Sequence, residues 1–338
     1  MPSNSSNLIR WGILATGSIA RTFATDLREV DGAVLQAVGS RRLDAAQTFA
    51  DEFGATSAYG SYEELAADPD VDVIYVATPH GRHVEDVMTC FAAGKHVLCE
   101  KPIALNADQT AALIAEADAR GLFFAEAMWM RANPNIIAAK KLVDDGTIGA
   151  VVQLRAELGF RAKAAKGRLW DLELGASALL DVGIYPLTLA YVMLGAPVTV
   201  VAAGVVSTGS TSEGGGFDVS GGATLTYANG AVASIAWTQM GWSDNRAAIA
   251  GADGLIEWGP PMHAPHAFTV KREGDQGTVT SYAEPVIGVG YAHEIIEVGA
   301  CLRAGSTRSD LLPLDETLAI MELMDDMRFQ MGVRYSVD

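Results

Sequence analysis

Lys101 stands between a carboxylate and a proline in Glu100-Lys101-Pro102, directly after the apolar run His96 to Cys99. A residue that precedes proline is confined to extended backbone, so this lysine is held in place and its ammonium can hydrogen-bond a substrate hydroxyl. The alternative is a solvated surface lysine. Farther on, Ala178 to Leu194 reads as an apolar helix in which Asp181 and Tyr185 are spaced i, i+4, on one face. A phenol beside a carboxylate can act as a general acid or base. Equally, a Tyr–Asp hydrogen bond inside a core helix would satisfy both groups.

A second set of residues suits a nucleotide. The run Leu8 to Leu14 enters the small-residue turn Ala15-Thr16-Gly17-Ser18-Ile19-Ala20, after which Ile19, Phe23 and Leu27 recur at helical spacing. Such a strand-to-helix turn presents free N–H groups to a pyrophosphate, although Ala15 and Ala20 stand where the usual fingerprint has its first and third glycines. The next strand ends in Ser40-Arg41-Arg42, where an NAD site would place a carboxylate. Two guanidinium groups and a hydroxyl suit a 2′-phosphate, hence NADP; the alternative is a pair of solvated arginines, with Asp44 a helix cap. The loop Thr78-Pro79-His80-Gly-Arg-His83 follows another strand on the same edge. Its histidines are either ligand-facing or plain polar surface groups, and no neighbouring Cys, Asp or Glu at ligand spacing makes them a metal site.

The elements that position these residues fall into two patterns. Strand-like runs at Ala33 to Gly39, Val71 to Ala77, His96 to Cys99 and Leu122 to Ala125 alternate with helices. Ser61 to Glu64 and Asn106 to Gln109 read as capping boxes, and Gly54, Gly94 and Gly121 as helix stops. This is a βαβ series with a parallel sheet that binds ligands at its carboxyl edge. From Ile148 the period changes. Val151 to Phe160 alternates as a half-solvated antiparallel strand, and Val198 to Ser207, Gly222 to Tyr227, Ala231 to Thr238, Gly254 to Trp258 and Phe268 to Arg272 follow, with Asn229-Gly230 as a hairpin turn. Ser207 to Gly222 reads as a mobile loop, and Tyr291 to Arg303 and Asp315 to Met331 as helices, the latter packing back on the first domain. The expected architecture is an α/β Rossmann dinucleotide-binding domain, residues 1–126, and an α+β domain, residues 127–338, with a large, open, mostly antiparallel sheet. One face of that sheet needs cover, which a second copy of the chain would supply.

Composition narrows the classes. With 338 residues and 49% hydrophobic content the chain is globular, and its net charge of −17 disfavours nucleic acid and anionic membranes as partners. The start lacks a secretory pattern and no apolar run is expected to span a membrane, so a cytoplasmic location is expected. Cys90, Cys99 and Cys301 form neither a disulfide framework nor a zinc pattern.

In sequence order, Arg10-Trp-Gly-Ile-Leu14, Ala58-Tyr-Gly-Ser-Tyr-Glu-Glu-Leu65, Ala93-Gly-Lys-His-Val-Leu-Cys-Glu-Lys-Pro102, Phe124-Ala-Glu-Ala-Met-Trp-Met-Arg131 and Ala178-Leu-Leu-Asp-Val-Gly-Ile-Tyr185 cover nearly the whole chain. Together they resemble the glucose-fructose oxidoreductase, inositol dehydrogenase and MocA-like (Gfo/Idh/MocA) family of NAD(P)-dependent oxidoreductases. The resemblance is strongest to its dimeric dihydrodiol dehydrogenase and NADP-dependent D-xylose 1-dehydrogenase branch, which shares His80 and Tyr185. It implies hydride exchange between a nicotinamide, NADP in preference to NAD, and a hydroxyl or carbonyl carbon of a sugar, polyol or dihydrodiol. It further implies Lys101 and Tyr185 as catalytic pair with Asp181 orienting them. Ala15, Thr16, Gly17, Ser18, Ile19, Ser40, Arg41, Arg42, Thr78, Pro79, His80, His83, Glu100, Lys101 and Arg131 would line the cofactor site. Trp129, Phe160, Trp170 and Tyr291 would form the substrate pocket, and the C-terminal sheet a homodimer or higher homo-oligomer. The run Gly175-Ala-Ser-Ala178 replaces the family's usual glycines before the catalytic helix. The competing functional class is a non-catalytic NADP-binding sensor on the same fold.

Overall fold

The computed structural model describes residues 8–163, 167–207, 216–274 and 278–338, and the chain divides into two units. The first comprises residues up to Ala104, Asp108–Ala132 and Ile287–Thr317. Its six parallel strands are β1 (Ile9–Leu14), β2 (Ala33–Gly39), β3 (Ser57–Tyr59), β4 (Val73–Val76), β5 (His96–Glu100) and β6 (Phe124–Ala127), ordered β3-β2-β1-β4-β5-β6. The strand order reverses between β1 and β4, the point at which a doubly wound sheet opens a crevice. Helices α1 (Ser18–Leu27), α2 (Leu43–Phe53), α3 (Tyr62–Ala66), α4 (His83–Ala92) and α5 (Ala107–Arg120) connect the strands. Strands β1 and β4 are almost fully buried, from Trp11 and Ile13 to Val73 and Tyr75, which is why they read as apolar runs rather than alternating ones. Ser61 caps α3 by accepting the Glu64 N–H, and Glu64 in return accepts from the Gly60 N–H. Gly54, Gly94 and Gly121 take positive φ just beyond their helices, as the stop signals required.

The second unit comprises Leu105–Ala107, Asn133–Val286 and Leu318–Asp338. After helix α6 (Pro134–Asp144) come β7 (Val151–Gly159), helix α7 (Ile184–Leu194), β8 (Thr199–Ser207), β9 (Phe217–Thr226), β10 (Val232–Thr238), β11 (Ala247–Gly251), β12 (Gly254–Trp258), β13 (Phe268–Arg272) and β14 (Val279–Tyr282). The eight strands are ordered β14-β13-β12-β11-β7-β10-β9-β8, antiparallel except that β7 and β10 run parallel. Leu154, Ala156 and Leu158 of β7 are buried and Gln153 and Arg155 exposed, as the alternation foretold; Val152 is exposed instead. Asn229 makes the β9–β10 turn with its side chain accepting from the Ala231 N–H.

Several expectations change. The boundary falls at Ala132/Asn133, and helix α8 (Tyr291–Arg303) belongs to the first unit. The last helix, α9 (Leu314–Gln330), contributes Leu314–Thr317 to the first unit and the remainder to the second. Within the expected loop Ser207 to Gly222, residues 208–215 lie outside the described residues, but Phe217 onward is strand β9. Its glycines are strand residues for a packing reason: a Cβ on Gly221 would sit 2.5 Å from the Trp237 indole. Strands β3, β11 and β14 were not expected. The stretch Leu172–Leu194 is long and apolar enough to cross a membrane, but 83% of its most apolar window is buried in the fold, as in a core helix.

Candidate active site

At the carboxyl end of β1, Ala15 adopts φ +85°, the left-handed region that glycine ordinarily fills, and its N–H bonds the Gly39 carbonyl at 2.9 Å. Gly17 is the N-cap of α1 and supplies no side-chain cap; a Cβ there would meet nothing within 4 Å. The turn formed by Thr16, Gly17, Ser18 and Ile19 therefore leaves room beside the amino end of the helix, where a pyrophosphate fits. At the end of β2, Ser40 is nearly buried with its N–H on the Tyr59 carbonyl, while Arg41 and Arg42 are exposed. Arg42 Nε lies 3.2 Å from Asp44 Oδ1, both largely solvated; Arg42, not Asp44, is the N-cap of α2, and Asp44 sits in its first turn with its side chain accepting from the Ala45 N–H. Beyond β4, Thr78, Pro79 and His80 form the next loop, with Thr78 and His80 over nine-tenths buried.

His83 differs from its expected role. Its ring is fully buried at the start of α4, with Nδ1 2.8 Å from the Pro102 carbonyl and Nε2 2.9 Å from that of Thr78. It presents no edge to a cofactor. It lies between the Thr78 loop and the Lys101 loop, and burial pushes its pKa down to about 4, so the neutral ring donates to one of the two carbonyls. The Lys101 loop is braced from three further sides. The Lys101 N–H donates to Glu100 Oε2 at 3.1 Å, the Tyr75 hydroxyl donates to Glu100 Oε1, and the Ile103 N–H donates to Glu126 Oε1 at 3.1 Å. Glu100 is thus engaged in internal bonds and over nine-tenths buried, a support for the lysine backbone. Glu126 is also buried and accepts from Thr317 at 3.3 Å; burial raises its pKa to about 7.

In the same unit Arg131, nearly buried, pairs with Glu316 at 2.7 Å. Trp129 stacks on Tyr291 with centroids 4.7 Å apart and planes 17° from parallel. Tyr291 opens α8, whose amino end is held by Asp26 of α1: its carboxylate accepts from the N–H groups of Val289, Gly290, Tyr291 and Ala292 at 2.8–3.2 Å. No local pattern marks Asp26 for this task, since its partners lie more than 260 residues away.

The second unit carries the other expected group. The helix bearing Asp181 and Tyr185 begins with a π-helical turn, Leu179–Gly183, before α7. The Ile184 N–H reaches back to Leu179, so Asp181 and Tyr185 are separated by a wide turn and not by the regular α spacing that sequence periodicity assumes. Such turns are frequent at functional sites. Asp181, nearly buried, accepts from Arg168 Nη1 at 3.0 Å. The Tyr185 ring lies 4.8 Å from that of His263. His263 was not expected; it sits on the Pro260–Pro265 segment, pinned where Asn133 and Asn135 donate to the Pro265 carbonyl. Phe160 is half-buried after β7, and Trp170 packs edge-on against Phe217, centroids 5.9 Å apart. The four expected pocket aromatics thus form a pair in the first unit, Trp129 and Tyr291, and two separate residues in the second.

Comparison with known proteins identifies the family and the fold. Residues 9–127 match the model of an oxidoreductase family with an NAD-binding Rossmann fold, GFO/IDH/MocA, and residues 136–257 match the GFO/IDH/MocA C-terminal domain. The chain is 34% identical over 342 residues to trans-1,2-dihydrobenzene-1,2-diol dehydrogenase of Mus musculus, covering 98% of this chain and 99% of that one. Among solved structures, a tyrosine-to-phenylalanine variant of KijD10, a 3-ketoreductase from Actinomadura kijaniata in complex with TDP-benzene and NADP, is similar with a TM-score of 0.85 and 26% identity over 97% of this chain and 99% of that one. The aldose-aldose oxidoreductase of Caulobacter crescentus, complexed with glycerol, shares the fold with a TM-score of 0.86 and 24% identity over 96% and 97% of the two chains. A Rossmann unit and a C-terminal sheet unit both match the same family, and a named relative matches over nearly the full length: the chain belongs to the GFO/IDH/MocA family of NAD(P)-dependent oxidoreductases.

Proposed function

We propose that the protein transfers a hydride between NADP and a carbon bearing a hydroxyl or carbonyl group in a sugar, polyol or trans-dihydrodiol. The observation that carries this reading is the investment in Lys101: backbone groups of residues 101–103 meet the side chains of Glu100, His83 and Glu126, all three buried. A surface lysine has no use for such bracing, whereas a group that must meet a substrate oxygen does. The names of the relatives, a dihydrodiol dehydrogenase and a ketoreductase with NADP, support the same chemistry.

The turn at Gly17 would hold the pyrophosphate and Arg41 and Arg42 a 2′-phosphate, with Ser40 and the Thr78-Pro79-His80 loop beside them. The nicotinamide, when bound, supplies the hydride chemistry. On the protein side, the Tyr185 hydroxyl gives its proton to the substrate oxygen during reduction and takes it back during oxidation. The Lys101 ammonium hydrogen-bonds that oxygen and stabilises the negative charge that develops on it. Asp181, itself held by Arg168, orients the tyrosine. A second copy of the chain packed on the large sheet would complete a homodimer, in keeping with exposed valines such as Val201 and Val205.

The test is NADP reduction across D-xylose, D-glucose, myo-inositol and trans-1,2-dihydrobenzene-1,2-diol, repeated with Tyr185→Phe. Loss of the phenolic proton should cut kcat about 10²-fold while NADPH affinity stays within about twofold. Binding of NADPH with no turnover of any such substrate would instead support the sensor reading.

A further inference from the structure

We propose that Asp218 is a positioning residue for Tyr185: from strand β9 it clasps the first turn of the helix that carries Tyr185 and Asp181, and so sets the direction in which both side chains leave it. The proposal rests on the role given to Tyr185 above.

A helix leaves its first N–H groups without partners, and the wide turn Leu179–Gly183 has no side-chain cap on its own N-cap residue, Ala178. The partners come from another element. Asp218 Oδ2 accepts from the Leu179 N–H at 2.7 Å, and its Oδ1 accepts from the Ser177 hydroxyl. Ser177 Oγ in turn accepts from the Leu180 N–H at 3.0 Å. The carboxylate and the hydroxyl together satisfy two successive amides of the turn, a capping arrangement built in trans from a strand 39 residues away.

The clasp reaches the other end of the same turn. Trp237 Nε1 donates to Asp218 Oδ2 at 2.8 Å, and its indole packs against Gly183, where an added Cβ would lie 2.9 Å from the ring. Gly221 makes room for the far edge of that indole. Asp218 thus fixes the turn at Leu179 directly and at Gly183 through Trp237. Asp181 lies inside this interval and Tyr185 two residues beyond it. Asp218 is fully buried, and a carboxylate in that setting is tolerable only because three donors meet it. Burial raises its pKa while the same three bonds oppose the rise.

A π turn is not favoured by local propensity, so the bonds that hold its ends decide whether it persists. Relaxation to regular α spacing would turn Tyr185 about the helix axis relative to Asp181. The catalytic phenol would remain present but misdirected.

The experiment uses the full-length enzyme with NADP and whichever of the four substrates above gives the highest wild-type kcat. Asp218→Asn can keep the clasp, with its carbonyl facing Leu179 and Trp237 and its amide donating to Ser177, and should retain kcat within about threefold. Asp218→Leu removes every bond and should lower kcat about 20-fold or more, with NADPH affinity within about twofold, as misplacement of a reacting group does. Its crystal structure should show the Leu179–Tyr185 backbone displaced. A folded Leu variant with wild-type kcat or an unmoved turn overturns the proposal, as do equal losses for Asn and Leu. Where the Leu variant does not fold, Ser177→Ala decides: a drop in kcat of about threefold or more at constant NADPH affinity supports the clasp, and an unchanged kcat with an unmoved turn overturns it. Tyr185→Phe serves as reference, because its retention of wild-type activity would remove the functional reading itself, whereas its loss beside unaffected Asp218 and Ser177 variants would remove only this inference.

Discussion

Arg41 and Arg42 are exposed at the end of β2. The Arg42 guanidinium pairs with the solvated Asp44, an ion pair worth little at a surface. Replacing both arginines with alanine should therefore leave thermal stability nearly unchanged and weaken NADPH by about tenfold or more, with NADH affected far less, since a phosphate contact costs roughly 1.5–3 kcal/mol to lose. Fluorescence titration with both cofactors measures this, and equal weakening of the two would mean that the arginines do not read the 2′-phosphate. Their place at the end of the second strand was legible, because an apolar run and a glycine turn upstream announce it. His263, Asp26 and Asp218 were not, because each acts on a residue remote in sequence and no spacing encodes that meeting. His83 was legible as a residue of the correct loop but misassigned, since its sequence neighbours do not reveal that both ring nitrogens face carbonyls.

At the scale of the element, the loop after β5 is braced by two buried titratable groups with opposite pH signatures. His83 is held neutral, its pKa depressed from 6.5 to about 4 by burial, so its contribution to stability is fully present above pH 6.5 and is lost as pH falls toward 4. Glu126 is raised from 4.5 to about 7 by burial, so its contribution is fully present below pH 4.5 and is lost as pH rises through 7. Relative to wild type, His83→Gln should therefore lose its stability disadvantage as pH falls from 6.5 to 4, and Glu126→Gln should gain in relative Tm as pH rises from 4.5 to 7. Thermal melts across that range measure both; parallel pH curves for wild type and variant would contradict the assigned cause. The βαβ strands were legible because buried parallel strands are continuous apolar runs. The wide turn at Leu179–Gly183 was not, because one extra residue in a turn leaves the apolar period of Ala178 to Leu194 intact. The first half of strand β9, from Phe217, was hidden by Gly221 and Gly222, whose smallness reflects a neighbouring indole and backbone rather than a loop.

For the molecule as a whole, the residues of the proposed chemistry fall in units of different architecture: Lys101 on a braced loop of one, Tyr185 and Asp181 on a clasped helix of the other. The division was legible from the change of period near Ile148. The return of α8 to the first unit was not, since it depends on Asp26 meeting the amino end of that helix more than 260 residues later. If Lys101 and Tyr185 act on one substrate oxygen, their effects on catalysis are those of a unit and do not simply multiply. The most direct measurement is kcat for Lys101→Met, Tyr185→Phe and the double variant, each with NADPH binding intact. Joint action on one oxygen predicts about 10²-fold loss in each single variant and a double variant little worse than the more damaged single one. Losses that multiply in full, or a single variant that keeps its rate, would contradict it.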